Sequence, residues 1–177
     1  MRPVAAVLAL VLTALLGSVT PARAETRTID DGATAVPAEM DLLTVKIANK
    51  PRTVVLTATF RDLVAGRRAN LRVFVDPRPG DEPGYIAYAK LNRAGRTSGT
   101  LQVATDDEFG GRPIACEGYT VTWSVEADRV RVVVPQRCLQ PNGTRHRFKA
   151  VSGFWDGVRG DSTSFVTVVK GRVGRSA

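Results

Sequence analysis

From Asp41 onward, apolar and polar positions alternate with a period of two, and turn-forming residues separate the runs. Leu43, Val45 and Ile47 alternate with Thr44 and Lys46. Val54, Leu56, Ala58 and Phe60 alternate with Val55, Thr57 and Thr59. Leu71, Val73 and Val75 alternate with Arg72, Phe74 and Asp76, and Val121, Trp123 and Val125 with Thr122, Ser124 and Glu126. Strands are further predicted over Tyr85–Leu91, Thr100–Ala104, Arg129–Val134, His146–Val151 and Ser164–Lys170, about nine in all. β-Branched residues are frequent, and no window of a dozen residues presents a helical face. The expected fold is all-β, an antiparallel β-sandwich of immunoglobulin-like or jelly-roll-like type. No repeat of fixed period is visible.

The N-terminus breaks this pattern. Val4 to Val19 is an uncharged, mostly apolar run behind Arg2. Pro21 follows it, and Ala22-Arg23-Ala24 has the small-x-small form that signal peptidase accepts. Residues 1–24 therefore read as a secretory signal peptide cleaved after Ala24, and the run is short for a bilayer span. Removing it takes away two arginines and no acid, so the 177-residue chain of formal charge +8 becomes a product of 153 residues and charge +6. Residues 25–40 read as a flexible polar leader, 41–170 as a single sandwich domain and 171–177 as a basic tail. The product is expected to be extracellular and monomeric, with no membrane span.

Export changes what the two cysteines mean. Outside the cytoplasm thiols oxidise, so Cys116 and Cys138 are expected to form a disulfide; a metal pair would need further ligands. They flank a hairpin. If Glu126 faces Arg129, Val125 faces Val130, Trp123 faces Val132 and Val121 faces Val134, which puts every apolar residue on one side. The cysteines are one residue out of step with that register, which predicts a β-bulge near Gly118.

The single histidine, His146, lies between Arg145 and Arg147 and reads as a surface strand residue; no nucleophile elbow accompanies it. Acids gather in loops at Asp30-Asp31, Asp76 to Glu82, Asp106 to Glu108 and Asp156 to Asp161. No cofactor is expected. The candidate metal site is a structural calcium on Asp106, Asp107 and Glu108, beside Gly110-Gly111. The candidate ligand-binding group is Phe154, Trp155 and Asp156, with Trp155 as a stacking platform. Basic residues are densest at Arg67-Arg68 and from Arg145 to Lys149, but export argues against nucleic acid as a partner. Arg159-Gly160-Asp161 matches an integrin-type tripeptide and also an ordinary turn. No residue is assigned a catalytic role.

The Asp41–Ile47 stretch (D-L-L-T-V-K-I) after an Asp-Asp leader, the strand ending at Val75-Asp76 before a proline-rich turn, and Cys116 with Pro135–Leu139 (P-Q-R-C-L) give the chain a likeness. It resembles small secreted β-sandwich proteins of high-GC Gram-positive (actinobacterial) bacteria. The resemblance implies location and fold and supplies no catalytic residue. The expected function is a non-enzymatic extracellular or cell-surface binding module for carbohydrate or anionic wall polymer. The alternatives are a small hydrolase using loop carboxylates and a protein–protein interaction module.

Overall fold

The computed structural model describes residues 25–77, 84–105, 111–139, 145–155, 158–163 and 166–169. Residues 1–24, expected to be a signal peptide, and the expected basic tail 171–177 lie outside these residues. In chain order the strands are β1 (Glu25–Asp30), β2 (Leu42–Asn49), β3 (Thr53–Phe60), β4 (Ala69–Pro77), β5 (Tyr85–Leu91), β6 (Thr97–Ala104) and β7 (Gly111–Ile114). They continue with β8 (Thr120–Ser124), β9 (Arg129–Pro135), β10 (Arg145–Ser152), β11 (Phe154–Trp155), β12 (Val158–Arg159) and β13 (Val166–Val169). The only helical pieces among the described residues are two 3₁₀ turns, Ala38–Met40 and Gln136–Cys138.

The chain is an antiparallel β-sandwich. One sheet has the order β1-β2-β3-β9-β8 and the other β13-β10-β4-β5-β6-β7, with β11-β12 as a small separate ribbon. The alternation read from the sequence is the alternation of burial. Val54, Leu56, Ala58 and Phe60 of β3, and Val130, Val132 and Val134 of β9, are sealed inside. They meet Leu71, Val73 and Val75 of β4, Ala87 and Ala89 of β5, and Phe148 and Ala150 of β10 in one core. Burying each valine or leucine contributes about 1.5–3 kcal/mol, which makes this face-to-face layer the main stabilising term. Where β6 and β8 approach at one sheet edge, the Tyr119 hydroxyl donates to the Tyr88 carbonyl at 2.8 Å. Gly99 permits that approach, since a Cβ there would lie 2.6 Å from the Tyr88 carbonyl oxygen and against the Val121 side chain.

Three expectations need correction. Residues 25–30 of the presumed flexible leader are strand β1, paired with β2 from Glu25↔Asn49 to Asp30↔Thr44. The β8–β9 hairpin pairs Trp123 with Val130 and Val121 with Val132, two residues away from the predicted register. Parity survives because a two-residue slip keeps every side chain on its own face. The loop is longer than the sequence suggested because Asp128 is held from outside: its carboxylate accepts the Leu63 N–H at 2.7 Å and its carbonyl the Phe60 N–H at 2.8 Å. Finally, the Cys116–Cys138 disulfide forms, with its Cα atoms 5.7 Å apart. The odd residue is absorbed by a tight turn ahead of β8 rather than by a bulge. Tyr119 N–H donates to Cys116 O at 3.1 Å, and Gly118 has the positive φ of 84° that this turn needs.

Candidate functional site

The outer surface of the β1-β2-β3-β9-β8 sheet is the side left open by core formation. Registers align its outward residues in rows across all five strands. The middle row reads Thr28, Lys46, Thr57, Arg131, Thr122. The row on one side reads Asp30, Thr44, Thr59, Arg129, Ser124, and that on the other Thr26, Ala48, Val55, Val133, Thr120. Lys46, Arg129 and Arg131 are exposed, and none of them has an ion pair among the described residues. Asp30 is the one acid in the three rows. From strand geometry Arg129 and Arg131 stand about 7 Å apart along β9, and Lys46 stands about 10 Å from Arg131 across β3. Hydroxyls fill the intervals, and no aromatic residue occupies these rows.

The outer side of the other sheet differs. Phe74, Ile86 and Tyr88 point outward there, yet Ile86 is only 1% exposed. Arg72 lies over the Tyr88 ring, 5.5 Å from its centroid. Arg147 is paired with Asp76, its Nε at 2.7 Å from the carboxylate. Apolar and paired groups occupy its β4 and β10 part, and Lys90, Ser98, Thr100 and Gln102 face outward along β5 and β6.

A second charged cluster is internal. Asp41 is fully buried; it accepts the Thr34 N–H at 3.1 Å and the Thr34 hydroxyl at 2.9 Å, and forms an ion pair with Arg61 at 3.1 Å. Asp161 accepts the Leu42 N–H at 2.9 Å and the Ser162 N–H at 2.8 Å. Ser152, whose hydroxyl donates to the Met40 carbonyl, accepts the Asp161 N–H. Asp31 joins them. Burial first, then the charge of Asp161, a hydrogen bond to it and the charge of Asp41 raise the Asp31 pKa. The cluster clasps the β1–β2 connection to the 160–163 segment. Its oxygens are largely committed to backbone amides and Arg61, which is structural work.

Of the sequence candidates, Cys116 and Cys138 are joined. Phe154 and Trp155 form β11, which pairs with β12 as a two-residue ribbon. Asp106, Asp107, Glu108 and Asp156 lie outside the described residues. His146 is not on the surface: it points inward, 1% exposed, edge-on to Phe148 with ring centroids 6.1 Å apart. Asp161 of the Arg-Gly-Asp tripeptide is 9% exposed and serves the clasp, so the tripeptide is not displayed as an adhesion motif. Among the described residues, no group of three or more His, Cys, Asp or Glu side chains is arranged to hold a metal ion. A cavity of about 180 Å³ beside the disulfide is lined by Gly99, Thr100, Leu101, Ile114, Cys116 and Tyr119. Its polar handle, the Tyr119 phenol, is already bonded to Tyr88, and burial pushes its pKa well above the ordinary value.

Neither charged cluster is assembled by any local pattern in the sequence. The threonine and lysine alternation of β2, β3 and β8 was visible, but only the sheet order sets those residues side by side. No family model matches the chain, and no characterised protein matches it in sequence.

Proposed function

We propose that this protein is a non-enzymatic binding module acting outside the cytoplasm, with a cell-surface glycan or anionic wall polymer as its ligand. The observation that carries the reading is the open outer sheet face, where three exposed cations with no ion pair among the described residues stand among hydroxyls over five strands. Such a surface contacts an extended polymer along its length and offers no enclosed site for bond cleavage. The apolar, uncharged N-terminal run followed by Ala22-Arg23-Ala24 supports export, and the disulfide is of the kind kept in oxidising surroundings. No helix among the described residues is long and apolar enough to cross a membrane.

Two measurements test this reading. The gene expressed in a secreting host should deliver protein to the medium with Glu25 as its first residue. That protein should be retained by isolated cell-wall material or bind at least one glycan on an array. Retention by neither ends the binding-module reading.

A further inference from the structure

We propose that the outer face of β1-β2-β3-β9-β8 binds a phosphodiester-linked wall polymer, with Lys46, Arg129 and Arg131 taking its phosphates and the threonine hydroxyls between them donating to the same chain. The inference rests on the binding-module reading and narrows it to one surface and one ligand chemistry.

Charge complementarity is the first argument. Lys46, Arg129 and Arg131 come from strands far apart in sequence, and the register brings them into two adjacent rows. They have no ion-pair partner among the described residues, so the face has a positive potential that an anion relieves. Arginine offers a planar fork of donors that suits phosphate, and lysine a compact charge. The second argument is what the face lacks. Neutral sugars are usually held by stacking on aromatic rings, and none of the three rows contains one. The third is shape. Five strands give a flat width of about 19 Å. Arg129 and Arg131 stand about 7 Å apart along β9 and Lys46 about 10 Å from Arg131 across the sheet, and Thr57 lies between Lys46 and Arg131 as a hydroxyl donor.

The experiment measures binding of the full gene product, as the host processes it, to immobilised poly(glycerol phosphate). Parallel arms use polygalacturonate, a neutral glucan and single-stranded DNA. The expected result is preferential binding to poly(glycerol phosphate) that weakens with salt. The triple variant K46A/R129A/R131A should bind roughly tenfold or more weakly, and the slope of log Kd against log salt should fall by about one per cation removed. The variant R68A/R93A/R96A removes three exposed cations elsewhere and leaves net charge equal to that of the first; it should bind as the parent does. Equal loss in both variants overturns the face assignment, because attraction would then follow net charge alone. Binding abolished by Trp155→Ala and untouched by the triple variant also overturns it, while keeping the binding-module reading. Preference for polygalacturonate or the neutral glucan overturns the phosphate assignment, and preference for DNA overturns the wall polymer as the source of the phosphates. Binding to none of the four, with retention on whole wall material, overturns this inference alone; absence of both overturns the module reading as well.

Discussion

Where β1 leads into β2, the charges of Asp41 and Asp161 have answers: an arginine, a threonine hydroxyl and backbone amides. On the outer face of the same sheet, Lys46, Arg129 and Arg131 have none among the described residues. The two regions share a sheet and differ in what their charges do. A charge enclosed with its partners is desolvated, and removing it leaves those partners unsatisfied, so it belongs to the fold. A charge in water with no partner adds little to stability and remains available to something else. The contrast predicts that stability and binding separate cleanly between the two regions.

The largest expected effect is at the clasp. Asp161→Ala strips the acceptor from the buried Leu42 amide and from Ser162, and should lower unfolding free energy by about 3 kcal/mol in a urea titration. Arg61→Ala leaves Asp41 buried without its cation. Its cost should be nearer 2 kcal/mol, because the guanidinium is partly in solvent and the Thr34 bonds remain. If either variant unfolds like the parent, the clasp is decorative and the comparison fails. Next comes the staple beneath the face. Replacing both Cys116 and Cys138 with serine should cost about 3 kcal/mol or less, on the loop-entropy account. The loss should appear first as faster amide exchange in β8, which is an edge strand, while the clasp stays protected.

The strands that carry the core were legible because burial on one side forces alternation, and a register slip of two leaves that pattern intact. β1 was not, since an edge strand with only Ile29 to bury alternates too weakly to stand out from a polar leader. β7 (Gly111–Ile114) has four residues, one of them a proline. The charged face was illegible for a different reason. Density along the chain pointed to Arg67-Arg68 and to Arg145 through Lys149, but consecutive strand residues point to opposite sides. In β10, His146 and Phe148 turn inward while Arg147 goes outward to Asp76. A patch on a sheet is assembled from residues two apart on one strand and from neighbouring strands, so it depends on sheet order, which no local pattern encodes. The clasp drew on two acidic loops that the sequence did mark, Asp30-Asp31 and Asp156 to Asp161, and their convergence with Asp41 was equally a matter of topology.

Asp31 sharpens the comparison within the clasp, because burial and the like charges of Asp161 and Asp41 bear on it. Its raised pKa means that the folded protein holds this proton more tightly than the unfolded chain does. Unfolding therefore releases the proton, and stability falls as pH rises from the ordinary carboxylate value through the raised one. Asp31→Asn copies the protonated state at every pH and keeps a donor for Asp161. It should raise the melting temperature by a few degrees near neutrality. The gain should shrink on acidification and vanish below the ordinary carboxylate pKa, where the parent is protonated in both states. A gain that persists unchanged in acid would mean that the crowding of Asp31 by Asp161 and Asp41 does not matter.

The smallest expected change in stability belongs to the face, and it is the one that decides the comparison. Lys46, Arg129 and Arg131 are exposed, make no ion pair among the described residues and lie on strands whose inward residues are untouched by truncation. The triple alanine variant should therefore unfold within about 0.5 kcal/mol of the parent per site, with any shift toward greater stability as mutual repulsion is relieved. Alanine's weaker strand preference opposes that gain, and adding salt separates the two contributions, because screening removes only the repulsive one. A loss of several kcal/mol would place these cations with Asp41 and Asp161, as parts of the fold. Unchanged stability alongside lost polymer binding would leave the cations no structural role to explain their position.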